Sequence, residues 1–347
     1  MSDYSKKIKD LPEDIKINIK KVLTRYYDGH EAKHIFKRSF DRQIGYLSEG
    51  KNMPFTIEEV NKAFKAKNFF KDLNDCGSWL NFRYYKNQKQ IKLHTGNFCK
   101  RDKLCVACAV RRAYKQQIKF MSILETNKDL LEQDWYYIVL PIKHTKSESY
   151  DIVMNRVISM RKKITQSMRD GRKGKSNNFW SSFAGGMYSQ EVTHNDNGWN
   201  VHLNLIVNAP KGAKIALKSV NNRRGQVSYQ NEDLRLFMMK NYDSHMHNIS
   251  KIEDNAKLRD EIVEVLKYSL KFSSLTQQEL FYVFVKSVGV RLFGTFGNLW
   301  GKGLDSVELE GDLILDKEFE ELIFIRAFGE LGQEYKLYQR KLIREED

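Results

Sequence analysis

The chain has 347 residues, enough for one large core or two modest ones and more than a small binding module requires. Its 59 lysines and arginines exceed its 44 acids, giving a formal charge of +15 that favours a polyanionic partner over small-molecule metabolism. The segment MSDYSKKIKDLPEDIKINIKK is charged throughout and no apolar run approaches a membrane span, so a cytoplasmic protein without signal peptide or membrane anchor is expected.

Residues 1–75 read as a helical N-terminal region. Phe36, Phe40, Ile44 and Leu47 recur at three- to four-residue spacing, and Thr56 ahead of Glu58 and Glu59 marks a helix start. His30 and His34 share a helical spacing but lack a third ligand. Residues 76–130 read as a Cys-rich basic module. Cys99, Cys105 and Cys108 form C-x5-C-x2-C, and Cys76 stands upstream across an expected hairpin, LNFRYY then KQIKLHT. In a reducing compartment four such thiolates suit a closed, tetrahedral structural Zn2+ site, with His94 as substitute ligand should Cys76 point elsewhere. Residues 81–120 hold eleven Lys/Arg against one acid, and Arg111, Arg112, Lys115 and Lys119 follow the cysteines at helical spacing. They predict a basic helix that contacts phosphates.

From Asp134 the pattern turns strand-like. WYYIVLPI is an apolar run expected as the central strand of a sheet, although Pro141 fits poorly in such a strand. Residues 151–169 form an amphipathic helix, and RDGRKGKSNN after it reads as a mobile basic loop, placed near a DNA backbone or simply solvated. The stretch from Gly185 to Asn208 carries the chemistry. Glu191 and Thr193 alternate onto one face of a strand, a Gly/Asn/Asp turn follows, and Asn200, His202 and Asn204 alternate onto one face of the next. Carboxylate, imidazole and amides would converge there, a donor set suited to a divalent metal.

Residues 211–230 are loop-like with a short strand near Gln226, Val227 and Tyr229; NEDLRLFMMKNY is helical and HNISKIE extended. His245 and His247 imitate a metal motif without a third ligand, which favours a structural role. In LRDEIVEVLKYSLKFSSLTQQ, Ile262, Val265 and Leu266 make an apolar helix face, while Glu261, Glu264, Tyr268 and Lys271 share another. Glu264 and Tyr268 become neighbours, and Tyr268 is the candidate nucleophile that the metal serves. Arg291, Gly294 and Gly297 are expected to bend the chain near that site. Residues 306–347 read as an acidic helical tail, a packing or homo-oligomerisation element.

Three segments, in this order, resemble the plasmid rolling-circle replication initiators of the HUH endonuclease superfamily, the group typified by small Gram-positive plasmids. HTGNFCKRDKLCVACAVRRAYK is similar to that family's cysteine segment, GGMYSQEVTHNDNGWNVHLNLIV to its Glu-x-Thr and His-hydrophobic-His strands, and EVLKYSLK to its tyrosine motif. The likeness covers roughly residues 76–300 and rests on motif order. It departs from the family where Asn200, His202 and Asn204 stand in place of alternate histidines, so that only the middle histidine is present; an Asn ligates through its amide oxygen.

The resemblance implies an α+β fold with an antiparallel sheet of about five strands over residues 131–305, flanked by helices, with a small zinc module and helical N- and C-terminal additions. It implies that Tyr268 attacks a phosphodiester in single-stranded or hairpin origin DNA, leaving a 5′-phosphotyrosine and a free 3′-OH. Glu191, His202 and Asn204 would hold Mg2+ or Mn2+, with Asn200 or His194 completing the site. Glu264 would activate a water or a second strand end in the closing step, and Lys267 and Lys271 would neutralise phosphate. A host helicase and polymerase are the implied partners. The alternatives are a single-strand DNA transposase of the same superfamily and a catalytically inactive DNA-binding regulator; relaxases fit less well because their tyrosine usually precedes the metal motif.

Overall fold

The structure, a computed structural model, describes residues 11–49, 53–65, 68–221, 227–244, 246–266, 275–309, 311, 318–329 and 332–344. In chain order its elements are α1 (Glu13–Ser48), α2 (Ile57–Ala63), α3 (Phe69–Asp75), β1 (Trp79–Tyr85), β2 (Gln90–Gly96), α4 (Val106–Thr126), α5 (Lys128–Leu131), β3 (Asp134–Pro141) and α6 (Tyr150–Arg172). There follow β4 (Gly185–Asn195), β5 (Gly198–Ala209), β6 (Lys218–Asn221), β7 (Val227–Gln230), α7 (Glu232–Tyr242), β8 (Asn248–Ile252), α8 (Asn255–Leu266), α9 (Gln277–Lys286), β9 (Phe293–Gly297), β10 (Glu318–Gly329) and β11 (Gly332–Arg344). The chain divides into two units, residues 1–112 with 308–347, and residues 113–307. No helix among the described residues is long and apolar enough to cross a membrane.

The first unit corrects two expectations. The described residues from 318 to 344 are strands rather than helices: β10 and β11 pair with the β1–β2 hairpin in an antiparallel sheet of order β11-β10-β1-β2. The cysteine segment is therefore no module of its own, because the chain's two ends build one unit around it. Composition misleads here, since the Glu, Lys and Leu of residues 318–344 suit a helix, yet burial alternates as a strand requires. Tyr335 and Leu337 are buried while Lys336 and Tyr338 are exposed. Partners on β1 settle the matter: Phe82 meets Phe324 edge-on at 5.5 Å, and Phe319 packs on Tyr85. The acids are absorbed by cations within the sheet. Burial opposes the charge of Glu320, but Lys86 at 2.7 Å and Arg340 at 2.8 Å outweigh it and hold its carboxyl below the usual range. The helical N-terminal expectation holds for α1 to α3. Thr56 and Glu59 close a capping box at the start of α2, and Phe40, Phe64, Phe69 and Phe70 cluster with ring centroids 4.5 to 5.5 Å apart.

The second unit carries an antiparallel five-stranded sheet of order β8-β3-β5-β4-β9, with helices packed against it and a separate β6–β7 pair. The run WYYIVLPI is interior but not central; β5 occupies the middle. Pro141 is tolerated for a geometric reason. Ile142 N donates to Val201 O on the β5 side, so the preceding residue's backbone faces the β8 side, where pairing has already ended at Val139 and Asn248. One sheet face is covered by the cluster of Met187, Ile206, Trp135 and Phe120 with Leu258, Ile262, Val265 and Leu266 of α8. The other faces α6, whose Val153, Val157, Met160 and Ile164 are buried at helical spacing. After α6, Gly174 takes φ +67 while its N–H bonds Gly171 O and Lys175 N bonds Asp170 O, a Schellman arrangement that ends the helix.

Candidate functional site

The alternation expected from the sequence is present. β4 and β5 form a hairpin whose turn is held by Asn195 Oδ1, which accepts from Asn197 N at 2.9 Å. In this register Glu191 lies opposite His202, Thr193 opposite Asn200, and Ser189 opposite Asn204, so the six side chains share one face. Asn204 is 4 % exposed and its Nδ2 donates to Glu191 Oε2 at 3.2 Å; Glu191 and His202 are half-buried. Thr193 is turned to the backbone, its hydroxyl donating to Asn200 O at 3.2 Å. Ser189, 3 % exposed, is a member of the face that the sequence reading left out, although the same two-residue alternation points to it.

This polar patch continues the apolar face that α8 covers. Met187 lies one strand repeat from Ser189, and it shares a cluster with Leu266, the last residue of α8. Glu264 lies in α8, whereas Tyr268, Lys267 and Lys271 lie outside the described residues. A carboxylate, an imidazole and an amide oxygen on adjacent strands are donors that a hard or borderline cation accepts. Asn200 shares the face, but His194 does not. It belongs to the opposite face, where Nδ1 pairs with Glu279 Oε1 at 2.5 Å and the ring packs on Trp199 at 4.4 Å. His247 has a structural role as expected: its Nε2 accepts from Asn231 N at 3.0 Å, at the residue that caps α7. His245 lies outside the described residues.

In the first unit Cys76, Cys99, Cys105 and Cys108 converge. All are buried, their sulfurs lie within 4.8 Å of one another, and the contacts from Cys76 to Cys105 and Cys108 and from Cys99 to Cys108 are 3.6 to 3.7 Å. Four sulfurs about 2.3 Å from a central ion would stand ~3.8 Å apart, so the cluster has the dimensions of a tetrahedral metal site. Local structure makes it. Cys76 caps α3, Lys100 turns the chain after Cys99 with φ +57, Cys105 immediately precedes α4, and Cys108 lies in that helix's first turn. The helix N-terminus favours negative sulfur. Contact with Cys105 first, and burial after it, push the Cys99 and Cys108 thiols far up, whereas Cys76 is lowered, the opposing Cys105 contact being outweighed by those with Cys108 and Cys99.

His94 is not needed as a ligand, since Cys76 completes the set, and its carbonyl instead accepts from Arg111 at 2.9 Å. Arg111 is correspondingly no phosphate contact. It is 6 % exposed, Nε donates to Leu309 O at 2.7 Å, and the guanidinium lies 5.3 Å over Phe98. Arg112 pairs with Asp102 at 3.4 Å; Lys115 is half-buried, and only Lys119 of this series is exposed. Arg326 and Tyr335, which the helical reading of the C-terminus obscured, support the cysteines. Arg326 donates to Asn74 O at 2.8 Å and Cys76 O at 3.3 Å, and Tyr335 OH donates to Gly77 O.

No family model matches the chain, and neither a curated protein nor a solved structure does.

Proposed function

We propose that the second unit is a metal-assisted, tyrosine-dependent DNA nickase of the HUH kind, acting in rolling-circle replication, and that the four cysteines of the first unit hold a structural Zn2+. The observation that carries the reading is the opposition of Glu191 and His202 on adjacent strands, with Asn204 bonded to Glu191, on the sheet face that α8 covers. Tyr268 follows Leu266, the last residue of α8, by two positions in the sequence. Zinc is the ion that four thiolates in a closed tetrahedral set favour.

In the proposed reaction the Tyr268 phenol oxygen bonds to phosphorus, the bond from phosphorus to the 3′ oxygen breaks, and the phenolic proton is lost as that oxygen leaves and becomes a 3′-OH. Glu191, His202 and Asn204 would hold Mg2+ or Mn2+, which when bound supplies positive charge to the phosphate. Glu264 serves as base in the closing transfer, and Lys267 and Lys271 neutralise the strand. The substrate is single-stranded or hairpin origin DNA, with a host helicase and polymerase downstream.

A second reading, a DNA-binding regulator without nicking, is favoured by the Asn204 amide that occupies Glu191 Oε2. Incubation with labelled single-stranded oligonucleotides and Mn2+, resolved on a denaturing gel, separates them. The nickase forms a metal-dependent covalent adduct that Tyr268→Phe abolishes; metal-independent binding with no adduct establishes the regulator.

A further inference from the structure

We propose that a cleft on the α6 side of the sheet binds single-stranded nucleic acid, phosphates on its arginines and an unstacked base on Trp300. That the strand is DNA rests on the nickase reading; the chemistry of the cleft does not. The cleft measures about 540 Å3, within the range of natural ligand sites, and lies against edge strand β9. One wall is a stripe of α6 in which Arg161, Thr165, Arg169 and Arg172 recur at helical spacing beside Lys162; the other includes Tyr188, Arg291, Phe296 and Trp300. Five of its lining residues are cations and none is an acid. Among the described residues, Arg161, Lys162, Arg169 and Arg172 form no ion pair. Like charges gathered in one concavity repel each other, and an anion relieves that repulsion.

Favourable interaction with the helix C-terminus accounts for Arg169 and Arg172 in the last turn of α6, but not for Arg161 and Lys162 in its middle or Arg291 off the helix. Arg161 is already oriented. It donates to Tyr188 OH at 2.6 Å and Arg291 O at 3.1 Å and lies 4.8 Å over the Tyr188 ring. The ligand class follows from Trp300, which is 64 % exposed on the rim. A free phosphate has no use for a bare indole, whereas a base stacks on one. The cationic stripe from Arg161 to Arg172 extends about 16 Å along the helix, the reach of several nucleotides. A duplex keeps its bases stacked on each other, so the indole selects a single strand.

The test is fluorescence anisotropy with labelled oligothymidylate and, in parallel, a blunt-ended duplex of two complementary strands, using the Tyr268→Phe chain so that no cleavage intervenes. Trp300→Ala is expected to weaken single-strand binding about tenfold and Trp300→Phe to recover most of it, while duplex binding is unchanged. Arg169→Ala with Arg172→Ala should reduce the slope of log K against log salt by about 1.4. Unaltered single-strand affinity and salt slope in all three variants, with unchanged thermal melts, would overturn the proposal. So would thymidine monophosphate competing as well as the oligonucleotide, which would mark a free-nucleotide pocket. Absence of the covalent adduct with this binding intact defeats the nickase and leaves the cleft; an intact adduct with unaltered binding in these variants defeats the cleft alone.

Discussion

Replacing Arg111 by Ala distinguishes a buried strut from a DNA contact. The guanidinium makes two hydrogen bonds to backbone carbonyls, Leu309 O at 2.7 Å and His94 O at 2.9 Å, joining α4 to β2 and to the return of the chain toward β10. Each charge-assisted bond contributes about 1.5–3 kcal/mol, and truncation strands both acceptors and uncovers Phe98. A loss of ~3–5 kcal/mol is expected, a large share of the ~5–15 kcal/mol that stabilises a domain. At ~2–4 °C per kcal/mol this lowers the melting of the first unit by about 10 °C. Calorimetry measures that shift, and anisotropy well below the transition measures the salt dependence of single-strand binding. The expected slope is unchanged, because a residue 6 % exposed reaches no phosphate. A variant that melts within about 2 °C of the parent while its salt slope falls by about 0.7 would refute the reasoning.

With zinc in the cysteine cluster, metal analysis should find one ion per chain, and Cys105→Ser should lose it and melt lower. Because protons compete for sulfurs whose thiols are already pushed up, metal retention should fall as pH drops; retention independent of pH would exclude thiolate ligation. Asn204→Asp places a second carboxylate beside Glu191, so the variant should melt lower in EDTA and recover with Mn2+. No recovery would remove the cation from this face. Arg156, whose side chain pairs with Glu148, holds that carboxyl down at about 2, against 4.5 ordinarily, with the Thr145 N–H assisting. A depressed carboxylate contributes stability above its ordinary pKa and loses it as pH falls toward the folded value. Arg156→Ala should therefore melt below the parent at neutral pH, with the gap closing as pH falls from about 4.5 toward 2; a gap independent of pH contradicts the pairing.

Local pattern was enough for much of the molecule. Two-residue alternation placed Glu191, Thr193, Asn200, His202 and Asn204 on one face, and the short spacing of Cys99, Cys105 and Cys108 announced their convergence. Helical periodicity found α6 and α7, and HNISKIE gave β8. These features depend on neighbours within a strand, a hairpin or a helix turn. Where a side chain's fate depended on a distant segment, the sequence misled. Arg111 shares the helical spacing of a phosphate-binding helix, and its bonds to His94 and to Leu309, 198 positions away, make it structural. His194 is the exception, since the strand's own alternation already puts it off the Glu191 face, on the side where Glu279 pairs with it.

The C-terminal residues show the same limit. Glu, Lys and Leu at 318–344 have helix propensity worth tenths of a kcal/mol per residue, and the pairing of β10 with β1, with Phe324 packed on Phe82, outweighs it. The basic cleft was legible only in part, as a charged helix end. That Trp300 and Arg291 join Arg161 and Arg172 around one concavity follows from β9 pairing with β4. The sequence by itself determined the donor types, their spacing and their strand faces, because those follow from backbone geometry over a few residues. Only the tertiary structure decided which cations are buried and which line a cleft, because burial is conferred by segments far away in the chain.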